Sequence, residues 1–201
     1  MVPCYREGIR FICYVVAGVC GGLMPIDGPA INVRTIVLKF RDPGQEVYSR
    51  SRLGEAVDRL EEEFRDSLIE KRVVEGNLFL NEGINLIWTA VCGGTYTPFN
   101  SANAYIGVGD GTAPASPTQT GLQGANKYYK GMDSGYPIYG TDQKAVFRAT
   151  FGGDEANFTW NEWTVANGPS DAAVNLNRKV ENLGTKSPGS TWILQVELSI
   201  S

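Results

Sequence analysis

From Asn77 to Ser201 the chain carries only 17 charged side chains, against 16 glycines and 15 aromatic residues. A segment so poor in charge and so rich in Gly, aromatic and β-branched residues is suited to short strands joined by tight turns. The local patterns agree. Trp192, Leu194, Val196, Leu198 and Ile200 alternate with Ile193, Gln195, Glu197, Ser199 and Ser201, the period of a strand with one face in a core. Ala145–Phe151 alternates around Phe147, Ala149 and Phe151, and Tyr105–Gly109 runs into a Gly-Asp-Gly turn. In Phe158–Val165, strict alternation puts Phe158, Trp160 and Glu162 on one face and Thr159, Asn161, Trp163 and Val165 on the other. Five or more such segments predict an antiparallel sandwich or barrel-like fold, mostly β, with an N-terminal strand and one or two helices: α+β overall.

Residues 1–76 differ in texture, holding 23 of the 40 charged side chains. The break near Gly76 predicts a boundary between a segment 24–76 and a β domain 77–201. Ile31–Phe40 (INVRTIVLKF) reads as a strand that stops at the Pro43-Gly44 turn. Leu53, Val57, Leu60, Phe64 and Leu68 recur at steps of 4, 3, 4 and 4, which predicts an amphipathic helix over about 52–71. That stripe serves either as an attachment surface for a partner or, more simply, to pack the helix on its own domain. Leu78, Leu80, Ile84, Ile87 and Val91 predict a second helix ending at Gly93-Gly94, with Gly83 weakening it. Residues 1–23 stand apart as a leader or an upstream extension ahead of Met24. Their apolar run Phe11–Met24, preceded by Arg6 and Arg10, suits a secretory leader but is too short for an ordinary membrane-spanning helix. No membrane span is expected.

The chain has no histidine. That excludes Ser-His-Asp and Cys-His nucleophilic sites, His-ligated metals and His-based pH switches. Net charge is −4 with a pI near 5.0, so the electrostatic footprint of a nucleic-acid binder is missing. Cys4, Cys13, Cys20 and Cys92 form no C-x-x-C pair, and Cys92 reads as a small buried hydrophobe. Gly107–Gly111 lacks the spacing and the following helix of a dinucleotide loop and reads as a turn. Asp110, Asp133, Asp142, Asp154 and Glu155 have the oxygen chemistry for calcium, but no EF-hand spacing, and turn aspartates ordinarily bend the backbone. No cofactor is expected. Glu162 sits between two tryptophans, but a glycosidase needs a second carboxylate across a cleft, so Glu162 is expected to be a paired, structural acid. Tyr128, Tyr129, Tyr136 and Tyr139, with Trp160 and Trp163, form the candidate interaction surface, suited to sugar stacking or protein contact. Nothing here points to an enzyme.

Several stretches carry a resemblance. Asn77–Gly83 (NLFLNEG), Asn103–Gly111 (NAYIGVGDG), Thr118–Leu122 (TQTGL), Phe147–Phe151 (FRATF), Trp160–Trp163 (WNEW) and Asn177–Val180 (NRKV) together resemble tailed-bacteriophage virion proteins. The order of these motifs is similar to the N-terminal domain of phage tail-collar fibre proteins. The resemblance implies a non-enzymatic virion component, a capsid-decoration or tail-accessory protein. It would be a homo-oligomer, a trimer by analogy, contacting major capsid or tail proteins on the particle exterior, with residues 24–76 as an attachment arm. The competing expectation is a secreted or surface carbohydrate-binding β-sandwich module using the tyrosines.

Overall fold

A computed structural model describes residues 31–42 and 44–200, together with the backbone of two short strands nearer the N-terminus. The chain divides into two units, Met1–Ala30 and Ile31–Ser201. In the first, β1 (Tyr5–Arg6) pairs antiparallel with β2 (Ile9–Arg10). The leader or extension expected over 1–23, with its three cysteines, lies otherwise outside the described residues.

The second unit begins with β3 (Ile31–Arg41), α1 (Glu46–Arg52), α2 (Val57–Glu63), a 3-10 turn at Arg65–Ser67 and β4 (Leu68–Glu75). It continues through β5 (Leu78–Phe79), α3 (Asn81–Val91), β6 (Tyr105–Gly109), β7 (Lys127–Gly131) and β8 (Ile138–Thr141). It closes with β9 (Lys144–Phe151), β10 (Thr159–Ala166), β11 (Asn177–Thr185) and β12 (Ser190–Ile200). Two five-stranded antiparallel sheets result, in the orders β5-β11-β10-β6-β7 and β4-β3-β12-β9-β8. Val33, Val37, Phe147, Ala149, Phe151, Trp192, Leu194 and Val196 of the second sheet meet Ile106, Val108, Trp160, Trp163 and Val165 of the first in one core. The sandwich and α+β expectations hold.

The compositional break at Gly76 is not a break in the fold. β3 lies inside the second sheet, paired with β4 on one side and with β12 along its whole length on the other. Of the segment 24–76, the described part from Ile31 to Glu75 is therefore no separate arm but part of the sandwich. Much of its charge lies on α1 and α2, and part forms ion pairs along the edge strand β4, such as Lys71–Glu61 and Arg72–Glu181. Such charges also discourage edge-to-edge pairing.

The single helix expected over 52–71 is instead two short helices and a strand. The chain turns at Gly54, whose φ is +93° and whose Cβ, if present, would lie 2.5 Å from the Ser134 carbonyl oxygen. Only glycine fits there without strain. Leu53 is consequently 80% exposed, outside the stripe whose first member its spacing predicted it to be. Val57, Leu60, Phe64 and Leu68 do share a face, packing with Leu38, Phe40, Val47 and Ile193 in a second cluster beneath α1 and α2. Leu68 arrives there as the first residue of β4, because the β-branched Ile69, Val73 and Val74 that follow favour pairing with β3 over another helical turn. This stripe is internal packing and is not available for attachment.

α3 forms over Asn81–Val91, later than the spacing predicted: Leu78, in β5, pairs with Arg178 and Leu80 is the N-cap, so only Ile84, Ile87 and Val91 of the expected stripe are helical. Gly83 is where the helix meets the sandwich. A Cβ at Gly83 would lie 2.6 Å from both the Leu176 Cα and the Leu176 carbonyl oxygen. Gly83→Ala is therefore expected to cost about 1–3 kcal/mol, as overpacking against backbone does. Urea unfolding would show this as a lower midpoint, and an unchanged midpoint would refute the close approach. Cys92 caps the helix and is exposed, not buried as its apolar neighbours suggested.

Candidate functional site

Glu162 is the best-coordinated side chain in the described residues. Its Oε1 accepts from the backbone N–H groups of Gly111 (3.1 Å), Gln123 (3.0 Å) and Gly124 (2.7 Å). Its Oε2 accepts from Arg178 Nε (2.7 Å) and from the Gln123 N–H (3.0 Å). Both members of the Glu162–Arg178 pair are fully buried, with Arg178 Nη2 2.6 Å from Oε2. Arg178 Nη1 reaches onward to the Ala113 carbonyl (3.0 Å) and Gln119 Oε1 (2.9 Å). The glycines of the Gly-Val-Gly-Asp-Gly stretch make room for this: a Cβ on Gly109 or Gly111 would lie 2.6 or 2.4 Å from Glu162 Oε1. The stretch is a cradle for the chain's own carboxylate and turns the strand as expected. With both oxygens occupied and no solvent contact, Glu162 cannot reach a sugar, and a hydrolase built on it is excluded.

Strict alternation placed Glu162 on the Trp160 face. The pairing of β10 with β11 shifts register between Trp160 and Glu162, which brings Trp160 and Trp163 into the same core. Trp163 sits opposite Val108 of the core, so its neighbour Glu162, opposite Gly109, faces away. Trp160 donates from Nε1 to the Ala156 carbonyl (2.9 Å), and its ring centroid lies 4.7 Å from Phe151 and 4.8 Å from Trp192. Trp163 Nε1 donates to Thr35 Oγ1 (3.2 Å). Both tryptophans are buried and must be withdrawn from the candidate interaction surface.

The four tyrosines do not converge. Tyr128 points inward, edge-on to Phe151, and donates to Glu155 (3.1 Å); burial, then the Glu155 charge, pushes its phenol up to about 12. Tyr129, next in β7, turns the other way over Gly107 and donates to Asp171. Burial, then that hydrogen bond, raises its pKa. Burial opposes ionisation of Asp171, but Lys127 and Tyr129 outweigh it and hold the carboxyl below the usual range. Tyr136 is a core residue under the Arg148 guanidinium, 4.3 Å from its ring. Only Tyr139, on the edge strand β8, is largely exposed. No aromatic platform for a sugar forms from them.

A second buried network lay beyond the reach of the local patterns. Asp133 accepts from Arg148 Nε (2.9 Å), Arg52 Nη1 (2.8 Å), and the Thr150 N–H (3.1 Å) and Oγ1 (2.7 Å). Arg148 in turn donates to the carbonyls of Glu55 (2.7 Å) and Ser51 (2.8 Å), tying α1 to the sheet. Two of the other turn acids, Asp110 and Glu155, are likewise engaged by protein, whereas Asp142 is exposed beside Lys144. Asp110 accepts from Asn126, which lowers its pKa, and Glu155 from Lys130 and the Gly152 N–H. Among the described residues no three potential ligands come together for a metal.

Lys186 is buried, donating to the Gly152 carbonyl (2.6 Å) and Asn157 Oδ1 (3.0 Å), and desolvation lowers its pKa from 10.5 to about 8. Above pH 8 the native state has released a proton that the unfolded chain still holds, so this group makes stability rise with pH. The sign reverses near 10.0, where unfolded tyrosines ionise but buried Tyr128 and Tyr129 do not. Stability is expected to climb between about pH 8 and 10 and then fall, and Lys186→Met should flatten the climb. Urea midpoints measured across that range check this; an equal climb in the variant would contradict it.

An apolar patch also remains exposed. On α3, exposed Ile87, Trp88 and Val91 join half-buried Ile84 in a stripe of about the 100° width ordinarily used to cover a core. Ile87 also lines a cleft of about 730 Å³ with Ile31, Phe79, Phe99, Leu198 and Ile200. The sequence carried one signal for this: between Ile84 and Val91 the helix is apolar on nearly every side.

The fold and these contacts define an antiparallel β-sandwich whose buried ion pairs are committed to its own scaffold and whose surface carries an exposed apolar helix face beside an apolar cleft. Comparison with protein-family models, with curated proteins and with solved structures finds no match. No helix among the described residues is long and apolar enough to cross a membrane.

Proposed function

We propose that this protein is a non-enzymatic bacteriophage virion component, located on the virion and held on the capsid or tail exterior by protein–protein contacts as a homo-oligomer. The observation that carries this reading is the uncovered apolar stripe of α3 beside an apolar cleft, a surface whose natural use is contact with protein. The likeness of residues 77–201 to tail-collar fibre domains supports it. So does the commitment of Glu162, Asp133 and Arg178 to internal contacts, which leaves them unavailable for acid–base chemistry. The full chain, tagged and mixed with purified capsids and tails of the phage that encodes it, is expected to co-sediment with one of them. If it stays in the supernatant with both, and antibodies fail to decorate intact particles, the reading falls. The dispersal of Tyr128, Tyr129, Tyr136 and Tyr139 weighs against the carbohydrate-binding alternative, and a glycan array is expected to be blank.

A further inference from the structure

The α3 stripe and its cleft form a single patch, and we propose that this patch is the contact between two copies of the chain related by a two-fold axis. The proposal deepens the reading above, on which the protein works through protein contacts, by naming the first partner as a second copy. Trp88 is 61% exposed, Val91 70%, Ile200 55%, Ile31 48% and Ile87 39%. Together they leave on the order of 500 Å² of apolar side chain in water, in the upper part of the ~300–600 Å² range of a monomer's largest patch, which is often functional. A polar rim of a few residues brings each copy to the roughly 800 Å² per partner of a stable interface.

Symmetry follows from continuity. A ring of three needs two different patches that fit each other, whereas a two-fold contact needs one patch that fits itself. Here the convex stripe and the concave cleft share Ile87, so they belong to one surface. A two-fold axis through it lays the helix of each copy into the cleft of the other. The rim is also self-complementary in charge. Asp142 and Lys144, exposed and 3.9 Å apart, both stand on the cleft wall, so a two-fold can set each acid toward a base of the other copy. A dimer is thus favoured over the trimer expected by analogy.

Sedimentation equilibrium of the full chain is expected to give twice the chain mass at micromolar concentration. Trp88→Glu combined with Val91→Glu should give the single chain mass with circular dichroism unchanged. Because α3 also packs inward, Ile200→Asp on the opposite wall provides the same readout should the helix variant not fold. Ile69→Asp, on the exposed face of β4, should leave the dimer intact. A monomeric or trimeric wild-type chain overturns the proposal, as does a dimer that survives both Trp88→Glu/Val91→Glu and Ile200→Asp. Particle attachment is read separately by co-sedimentation with capsids and tails, so a dimer that binds no particle would reject the virion role and leave the interface standing.

Discussion

Glu162→Ala is expected to destabilise the sandwich by about 3–5 kcal/mol, the scale of breaking a buried ion pair by removing one partner. The substitution leaves the Arg178 guanidinium buried without its counter-charge and deprives the N–H groups of Gly111, Gln123 and Gly124 of their acceptor. For a unit of this size that corresponds to a fall in Tm of roughly 10 °C. Glu162→Gln should be nearly as costly, because an amide presents donors to a site built of donors. Combining Glu162→Ala with Arg178→Met should recover part of the loss, since the stranded charge is then gone. The measurement is urea unfolding of the three variants and the wild type. A Glu162→Ala unfolding free energy within about 1 kcal/mol of wild type would show that the pair holds nothing together.

Asp133→Ala should have an effect of the same order, about 3–5 kcal/mol, with a different geography. Asp133 gathers Arg148 and Thr150 of β9 together with Arg52 of α1, and Arg148 holds the Ser51 and Glu55 carbonyls. Its loss frees the helical layer before it frees the sandwich. Amide hydrogen exchange in α1 should accelerate well beyond the global change, while β10 and β12 stay protected relative to it. Uniform acceleration everywhere would argue that α1 is held by its apolar contacts with Leu38 and Phe40 alone. Asp133→Asn keeps an oxygen acceptor but no charge opposite the two arginines, and should fall between wild type and alanine.

Most strands were legible because their side-chain pattern is local. Ile31–Phe40, Tyr105–Gly109, Ala145–Phe151 and the alternation from Trp192 to Ile200 all appear as strands within a residue or two. The alternation did not reveal that Ile193 would be buried as well, because its cover comes from α1 and α2 on the far side of the sheet. The regular spacing from Leu53 to Leu68 misled for a related reason. A stripe at steps of four and three looks the same whether one helix carries it or two helices and a strand converge on one cluster. Gly54 decided between them through its approach to Ser134, which is remote in sequence.

The candidate site was the least legible part. Tyr128 and Tyr129 are neighbours in the chain and so lie on opposite faces of β7, which disperses a cluster that looked dense in one dimension. Trp160 and Trp163 share a core because of a register shift, and no residue pattern announced where it would fall. Arg148 and Arg178 carried no local signal as partners of Asp133 and Glu162, although each pair is only about one hairpin apart in sequence.

By itself the sequence determined the absence of histidine chemistry, the β character of the chain and the faces along most strands, since each depends on residue identity or on a period of two. Tertiary structure decided which charges pair in the interior, where the strand register slips, and which apolar side chains stay in water. Those outcomes depend on backbone brought together from distant positions, where one carbonyl or one missing Cβ selects among arrangements that the local pattern leaves equal.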